Sequence, residues 1–515
     1  MSQAATLAIS LALVVTLAWA LELALRPRVA WPHARKRWAN LVHVLTLLAF
    51  WALCLAITAK PWLSAALVLS LVLLIVLVNH DKYRQLNEPF LTCDFIYFWD
   101  VIRYPRLYLP FFGYAKAALL LVAFLLALGF WWQLEPNALT TWLGRLWWLV
   151  VALASLAPAY YLAQKKLASD LSLSPEQDLR ELGLVAMLMA HKAAAGLWQR
   201  SNPVLPTPFV MLKRAPDSPE LPDIICIQAE SFFDVRQRYG ERLAADSFAH
   251  WDQARAKAWR AGQLRVPAWG ANTVRSEFGF LSGLPADRLG VHQFQPYALV
   301  KRMPGPFWQD MLPARLKALG FHCSFVHPYI ARFYDRHQVL PKLGFDEFID
   351  IRGLGPMGSL GAFDPHAQYM PDPVLGESIV QRLRARRANQ PVFMHVVTMQ
   401  GHGPYDGHGK DPESLFNGYV RVMQSTDLMI GQLLNDLQAG TANRPTVVCV
   451  FGDHVPILPS VYAAWGAPDG STDYLIWRNW DQSSRPIEAD LALHELAMST
   501  AHAAGLHTGG RDGSV

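Results

Sequence analysis

Four side chains with metal-binding or nucleophilic chemistry lie at the ends of apolar segments in this chain of 515 residues. Glu230 ends the segment IICIQAE, and Asp453 and His454 end the segment VVCVFGDH. Thr273 lies in the turn GANT, directly before a helical pattern. Carboxylate and imidazole groups together suit a divalent cation such as Zn²⁺ or Mn²⁺. Because a cation activates a neighbouring hydroxyl, the four residues predict nucleophilic attack by Thr273.

Each of these residues also has an ordinary structural explanation. Glu230 could cap a neighbouring helix, Gly-Asp turns such as the one at Asp453 are common, and Thr273 could be a helix N-cap. The N-terminus of a helix nevertheless directs backbone N–H groups at an anion. In the functional interpretation these amides hold phosphoryl oxygens while Thr273 attacks phosphorus.

Three further side chains fit a phosphate-ester substrate. His402 lies in TMQGHGPY, just beyond a predicted strand, while Tyr334 and Arg336 lie in RFYDRHQ. A guanidinium can grip a phosphate with two hydrogen bonds, and an aromatic ring can cover a glycerol group. The alternatives are a structural histidine and a solvated basic loop. The remaining candidates are interpreted as structural: Asp234, His327, His337 and His366.

Positioning these side chains requires an open α/β sheet. Strand and helix patterns alternate after residue 221, which predicts a mixed, mostly parallel sheet covered by helices. Functional groups of such sheets gather beyond the carboxyl ends of the strands, where Glu230 and Asp453 lie. The predicted strands are 224–228, 322–327, 392–398 and 446–452, and the predicted helices are 313–319, 376–387 and 414–437.

The first third of the chain is apolar enough for five membrane-spanning helices. Each run is close to the ~20 residues that cross a bilayer as a helix. Glu22 is the strongly polar interruption, and the basic residues of the first run follow its apolar stretch, which favours an uncleaved span over a signal peptide. The predicted spans are 6–25, 41–59, 62–78, 117–132 and 146–163.

Charge and cysteine content exclude other classes of protein. A net charge of +5 is too small to imply nucleic acid as a partner. The five cysteines have no paired spacing, which favours buried thiols over a disulfide set or a metal site. The loop after the first span is basic, and the positive-inside tendency places it, and with it the C-terminal domain, in the cytoplasm. Its basic residues are Arg26, Arg28, Arg35, Lys36 and Arg37.

The motifs IQAES, GANTVRSEF, FYDRHQ, TMQGHGPY and FGDH resemble, in order and spacing, the lipoteichoic acid synthase and phosphoglycerol transferase family of the alkaline phosphatase/sulfatase superfamily. Tyr334-Asp335-Arg336 stands where the lipoteichoic enzymes have Trp-Asn-Arg. The resemblance implies one divalent ion, Mn²⁺ with Zn²⁺ or Mg²⁺ as alternatives. Thr273 would be the nucleophile, and His402, Tyr334 and Arg336 would contact phosphoglycerol. The implied metal ligands are Glu230, Thr273, Asp453 and His454.

The chain is therefore expected to have four parts. These are a transmembrane domain of five helices (1–166), a juxtamembrane helix (174–197) with a proline-rich linker (167–220 in all), a sulfatase-like catalytic domain (221–505) and a disordered tail (506–515). Against the charge bias, the resemblance implies an extracytoplasmic catalytic domain on a multi-pass inner-membrane protein.

The predicted activity is transfer of a glycerophosphoryl group from a phosphatidylglycerol-like phospholipid, through Thr273, to a hydroxyl of a glycan or polymer. Phosphoethanolamine transfer, phosphate-ester hydrolysis and a membrane scaffold with a decayed hydrolase domain are the alternatives. Sulfatases that use formylglycine are disfavoured, because ANTVR does not supply their Cys/Ser-x-Pro-x-Arg signature. Acceptor and oligomeric state stay open.

Overall fold

The computed structural model describes residues 2–103, 105, 113–201, 204–216, 220–354, 369–386, 390–405, 411–440, 444–481 and 485–508. The chain forms two compact units, Met1–Pro203 and Val204–Val515.

Among the described residues of the first unit, five helices are long and apolar enough to cross a membrane, which confirms the predicted number. A short helix, α4 (Phe95–Arg103), lies between the third and fourth of them. Each of these helices overlaps one predicted apolar run and begins before it. The five are α1 (Gln3–Leu23), α2 (Arg37–Thr58), α3 (Pro61–Leu86), α5 (Tyr114–Leu134) and α6 (Trp142–Leu162).

The one acidic residue of α1, Glu22, is fully buried and paired. Its carboxylate forms an ion pair with Arg35, lies 3.3 Å from His43 Nδ1, and accepts a hydrogen bond from the backbone N–H of Val185 at 3.0 Å. A buried carboxylate is tolerated only with such partners. Glu22 thereby ties α1 to the segment that follows the last span.

The juxtamembrane segment forms two helices, so the prediction of one helix over 174–197 is wrong. α7 (Pro175–Leu182) and α8 (Leu184–Arg200) are separated by Gly183, whose φ is +78°. A Cβ at this position would overlap the Arg35 guanidinium and come within 2.8 Å of Glu22 Oε2. The buried ion pair therefore requires a glycine here, and glycine breaks the helix.

In the described part of the second unit, nine strands form one sheet in the order β10-β3-β8-β7-β2-β6-β4-β5, with β9 paired to β3. The centre is parallel, because β2 pairs with β6 and β7 and β4 pairs with β5 and β6, whereas β8 runs antiparallel to β7 and β3. Its strands are β2 (Asp223–Ala229), β3 (Arg260–Arg265), β4 (His322–Val326), β5 (Glu347–Ile349), β6 (Val392–Val397), β7 (Thr446–Gly452), β8 (Thr472–Arg478), β9 (Ile487–Glu488) and β10 (Leu491–Ala492).

Helices cover both faces of this sheet, as the contacts of β2 show. Alternate residues of β2 point to opposite faces. Ile225 and Ile227 belong to a buried apolar cluster with residues of α15 and α16, while Gln228 on the other face donates to the carbonyl oxygen of Thr273 in α11. The helices are α9 (Arg236–Tyr239), α10 (Ala249–Ala256), α11 (Thr273–Ser282), α12 (Pro296–Arg302), α13 (Leu312–Ala318), α14 (Arg336–Val339), α15 (Asp372–Ala385), α16 (Pro412–Gln438), α17 (Pro459–Trp465) and α18 (Leu493–Ala503).

A second, two-stranded sheet changes two predicted boundaries. β1 (Leu212–Arg214), from the predicted linker, pairs antiparallel with β11 (Leu506–Thr508), from the predicted disordered tail. Buried Phe209 also belongs to this unit, which therefore begins before residue 221. Residues 509–515 lie outside the described part of the chain.

Candidate metal centre and active site

Two neighbouring strands and one helix bring the predicted metal ligands together. β2 and β7 are parallel and in register from Asp223–Thr446 to Ala229–Gly452, so both end at the same edge of the sheet. Glu230 follows β2 directly, and Asp453 and His454 follow β7. Thr273 is the first residue of α11, which packs on this sheet through the hydrogen bond from Gln228 at 3.2 Å.

The ligand atoms lie close enough to share one ion. One ligand atom each from Glu230, Asp453 and His454 lies within 4.8 Å of the other two. The hydroxyl of Thr273 donates a hydrogen bond to Glu230 Oε2 at 3.2 Å. All four side chains are at most 7% exposed. The structure thus brings together all four residues that the sequence assigned to the metal.

The ring of His454 is oriented for metal binding. Its Nδ1 lies 3.1 Å from the carbonyl oxygen of Val455, which can only accept a hydrogen bond, so Nδ1 carries the proton. Nε2 then presents a lone pair 3.4 Å from Glu230 Oε1 and 3.5 Å from Asp453 Oδ2. Among the described residues, neither His454 Nε2 nor Asp453 Oδ2 has a hydrogen-bond partner. Acceptors that converge without donors fit a cation.

The charges of the Glu230 and Asp453 carboxylates also fit a bound cation. Burial, and then the neighbouring carboxylate of Glu230, raises the pKa of Asp453 to about 7. Two buried carboxylates at this distance repel each other when both are ionised. A divalent cation between them would remove that repulsion and keep both groups charged.

Ser231 supports the ligands and was missed from the sequence. Its backbone has φ +57°, and its N–H donates to Asp453 Oδ1 at 2.9 Å. Its hydroxyl donates to Glu230 Oε1 at 3.0 Å. One residue thereby orients two predicted ligands from different strands, as the residues behind metal ligands commonly do. Its place directly after Glu230 in IQAES was the available signal.

The start of α11 is suited to an anion. Asn272 precedes the helix with φ +71°, and the helix runs for ten residues from Thr273. Ser276 donates to the carbonyl oxygen of Asp453 at 2.6 Å, which fixes this helix to the end of β7. The N–H of Arg275 donates to the carbonyl oxygen of Asn272 at 2.8 Å, and the N-terminus of a helix in general directs its first N–H groups at an anion, here beside Thr273.

Arg336 is held rigidly next to the same helix. Its guanidinium is buried and hydrogen-bonds the Glu277 carboxylate, at 2.8 Å from Nη2 and at 3.2 Å from Nε. Glu277, one turn after Thr273 in α11, also accepts a hydrogen bond from the Tyr297 hydroxyl. Arg336 Nη1 has no hydrogen-bond partner among the described residues. Tyr334 places its ring 5.3 Å from the guanidinium.

His402 lies on the loop after β6, partly buried, with Nδ1 2.7 Å from the carbonyl oxygen of Gly403 and 3.2 Å from the Tyr369 hydroxyl. This loop passes against the end of β2, because a Cβ on Gly401 would overlap the carbonyl oxygen of Glu230. The predicted substrate residues are thus carried by elements that pack around the metal ligands.

His327, interpreted from the sequence as structural, is a further candidate. Its Nδ1 lies 3.0 Å from the carbonyl oxygen of Val397, and its buried Nε2 has no partner among the described residues. Burial, and then the charges of Arg336 and His402, lower the pKa of His327, which keeps the ring neutral. His327 directly follows β4, so the rule that pointed to Glu230 also applies to it.

Comparison with known proteins agrees with this geometry. The sequence model of the family described as Sulfatase matches residues 222–506, which is more than half of the chain. The chain belongs to the sulfatase family. This sulfatase family membership confirms the predicted superfamily and the prediction of an enzyme.

Two relatives in sequence are informative. The capsular polysaccharide biosynthesis protein RkpI of Rhizobium meliloti is 25% identical over 451 residues, covering 82% of this chain and 78% of RkpI. The lipoteichoic acid synthase of Staphylococcus saprophyticus is 24% identical over 204 residues, covering 36% of this chain and 28% of that enzyme.

A solved structure supports the fold of the whole sulfatase-family chain. The integral membrane lipooligosaccharide phosphoethanolamine transferase A (EptA) of Neisseria meningitidis covers 96% of each chain with a TM-score of 0.56 and 13% sequence identity. The predicted fold class, five apolar N-terminal helices followed by a sulfatase-like mixed sheet, is confirmed.

Proposed function

We propose that this protein is a membrane-anchored, metal-dependent phosphoglycerol transferase. It moves a glycerophosphoryl group from a phosphatidylglycerol-like phospholipid to a hydroxyl of a glycan or polymer. The observation that carries the proposal is the Thr273 hydroxyl at the start of α11, 3.2 Å from Glu230 and beside Asp453 and His454. A nucleophile, ligands for a cation and the N-terminus of a helix then meet at one point.

The reaction proceeds in two displacements. Thr273 Oγ1 gives up its proton and forms a bond to phosphorus while the bond from phosphorus to the diacylglycerol oxygen breaks, and that oxygen takes up a proton. The hydroxyl of the acceptor then gives up its proton and forms a bond to phosphorus, while Thr273 Oγ1 departs and takes up a proton. Glu230, Asp453, His454 and Thr273 would hold a divalent cation, which would lower the pKa of the threonine hydroxyl and offset phosphoryl charge.

The remaining side chains have separate roles in binding the donor. The amides at the start of α11 and the unpartnered Arg336 Nη1 receive phosphoryl oxygens. His402 and the neutral His327 accept hydrogen bonds from glycerol hydroxyls, and the ring of Tyr334 covers the glycerol carbons. A site built in this way recognises a polar, uncharged headgroup beyond the phosphate.

Mn²⁺ is the proposed ion, with Zn²⁺ and Mg²⁺ as alternatives. The ligand set consists of two carboxylates, one hydroxyl and one imidazole, and it is dominated by oxygen. Oxygen ligands suit Mn²⁺ and Mg²⁺, whereas the imidazole of His454 favours Mn²⁺ or Zn²⁺ over Mg²⁺.

The proposed location is the inner membrane, with several spans and an extracytoplasmic catalytic domain. The contrary charge of the loop after α1 is partly neutralised within the first unit. Arg35 is buried against Glu22, and Lys36 lies 3.2 Å from Asp170 and 3.6 Å from Glu181. These basic residues therefore have structural partners within the first unit, and the proposed topology rests on the similarity to lipoteichoic acid synthase rather than on the charge bias.

A glycan acceptor is supported by RkpI, whose name places it in capsular polysaccharide biosynthesis. The alignment with RkpI covers 82% of this chain, so it includes residues of both the helical and the sulfatase-family parts. Nucleic acid is not proposed as a partner, and the number of subunits is left open.

The test is turnover by the full-length protein with radiolabelled phosphatidylglycerol and Mn²⁺, followed as release of diacylglycerol. Thr273→Ala should abolish release, whereas the control Ser414→Ala, which removes an exposed hydroxyl at the start of α16, should not. Normal release by Thr273→Ala refutes the mechanism. If the protein turns over phosphatidylethanolamine but not phosphatidylglycerol, it is a phosphoethanolamine transferase. If it binds no metal and turns over neither lipid, the result favours a membrane scaffold with a decayed hydrolase domain.

A further inference from the structure

The last membrane helix ends in an unusual turn. α6 continues into a π-helical turn, Ala163–Leu167 with the sequence AQKKL, and then into a 3₁₀ turn, Ala168–Asp170. π-helical turns are rare in proteins, and many of those that occur lie at functional sites. This one presents Lys165 and Lys166, both exposed, at the end of the span.

Two exposed aromatic rings lie against these lysines. Lys166 Nζ lies 5.3 Å from the centre of the Trp38 ring, and Lys165 Nζ lies 5.8 Å from the centre of the Tyr161 ring. The two aromatic residues are 42% and 56% exposed, near the ends of α2 and α6. Tryptophan and tyrosine at span ends mark the membrane interface. A ring orients an ammonium group without neutralising it.

Within the described residues, the lysines of this patch form no ion pair of their own. The nearby acids Asp170 and Glu181 pair with Lys36. Lys165 and Lys166 have no ion pair in the described chain, and neither has exposed Arg37.

We infer that the patch formed by Arg37, Trp38, Tyr161, Lys165 and Lys166 binds the headgroup of an anionic phospholipid. Its three cations complement a lipid phosphate with net negative charge. A zwitterionic headgroup brings its own ammonium group, which these cations repel. The exposed rings place the ligand in the bilayer rather than in free solution. The interpretation of this lipid as the donor rests on the proposed function, whose phosphatidylglycerol-like donor is also anionic.

The test uses the full-length Thr273→Ala protein in detergent, so that no lipid is consumed. Native mass spectrometry compares retention of phosphatidylglycerol with that of phosphatidylethanolamine. The unaltered patch should retain phosphatidylglycerol preferentially, and Lys165→Gln with Lys166→Gln should weaken that retention by roughly fivefold for each lysine. The variant that keeps both charges, Lys165→Arg with Lys166→Arg, should retain phosphatidylglycerol as the unaltered patch does. The charge-matched control, Lys192→Gln with Arg200→Gln on exposed positions of α8, should leave it unchanged.

Equal retention of the two lipids by the unaltered patch overturns the inference without any variant of the lysines. Equal retention of phosphatidylglycerol by the glutamine variant overturns it as well. Complete displacement by soluble glycerol phosphate would assign the patch to a free anion and also overturn it. If the Thr273→Ala protein does not prefer phosphatidylglycerol but the wild type releases diacylglycerol normally, only this inference is wrong. If the preference is present but the wild type releases no diacylglycerol, only the proposed function is wrong.

Discussion

The guanidinium of Arg336 owes its position to a carboxylate on the helix of the nucleophile. Glu277 binds two of its nitrogens, and Tyr297 binds Glu277 in turn, all in the interior. A buried arginine without this partner would lose the charge that offsets its own, and it would no longer be fixed relative to Thr273. Glu277 is therefore a positioning residue for the proposed phosphate contact.

Glu277→Gln should lower kcat/KM for the phospholipid donor by roughly 10- to 100-fold, because a charge-assisted hydrogen bond to Arg336 contributes about 1.5–3 kcal/mol. Bound Mn²⁺, measured by elemental analysis, should not change, since Glu277 is not a proposed ligand. Glu241→Gln at an exposed position is the control. Unchanged kcat/KM in Glu277→Gln would contradict the positioning role.

Asp372 gives a prediction for stability against pH. It is fully buried, accepts a hydrogen bond from Thr426 at 2.6 Å, and its Oδ1 has no partner in the described chain. Burial raises the pKa of Asp372 to about 7. The folded protein then holds a proton that the unfolded chain loses near pH 4, so this contribution to stability falls as pH rises from about 4 to about 7.

Asp372→Asn cannot ionise and should escape that loss. Thermal unfolding of the chelated protein should show the stability of the variant, relative to wild type, rising by roughly 2.5 kcal/mol between pH ~5 and pH ~8. Asp246→Asn at an exposed position should show no such change. The same difference between Asp372→Asn and wild type at both pH values would contradict the argument.

At the scale of elements, the loop after β6 must approach the end of β2 very closely. A Cβ on Gly401 would overlap the Glu230 carbonyl oxygen and lie 3.1 Å from the Met423 side chain. The backbone atom cannot move without moving the Glu230 carboxylate. Gly401→Ala should therefore weaken Mn²⁺ binding at least tenfold (about 1.4 kcal/mol), as measured by titration calorimetry. Gly305→Ala, where nothing lies within 4 Å of the added Cβ, is the matched control. Equal Mn²⁺ affinity of the two variants would contradict this packing.

The elements that could be predicted are those whose buried residues form a clear apolar pattern along the sequence. Every residue of β2, β6 and β7 is buried, so each reads as an apolar run, and the long helix α16 shows its stripe of buried residues. β3 was missed because RAGQLR alternates with polar and exposed positions. β1 and β11 were missed because three-residue strands form only by pairing across the chain.

The same limit applies to the site. Glu230, Asp453 and His454 could be found because each directly follows an apolar strand. Glu277 could not, because its role consists of a contact with Arg336, which is distant in sequence. Ser231 directly follows Glu230, but its contact with Asp453 also joins residues that are distant in sequence. The break at Gly183 likewise arises from Arg35 and Glu22, which no local pattern around residue 183 contains.

At the scale of the whole molecule, hydropathy predicts the number of spans but charge alone does not settle their direction. The positive-inside tendency counts basic residues, yet Arg35 and Lys36 are paired with acids, and Lys165 and Lys166 belong to the proposed lipid patch.

The proposed topology predicts that external protease digests the C-terminal unit in intact spheroplasts while a cytoplasmic marker protein stays protected. An antibody against a tag at the C-terminus follows the loss of that unit. Protection of the tag until the membrane is lysed would place the sulfatase-family domain in the cytoplasm and contradict the topology.

The central claim, that Thr273 attacks phosphorus beside a cation held by Glu230, Asp453 and His454, is tested most directly by peptide mass spectrometry. The full-length protein is incubated with phosphatidylglycerol and Mn²⁺, quenched in acid and digested. The account predicts a glycerophosphoryl adduct on Thr273 that is absent after chelation of the metal. Release of diacylglycerol with Thr273 unmodified, or with the adduct on another residue, would contradict it.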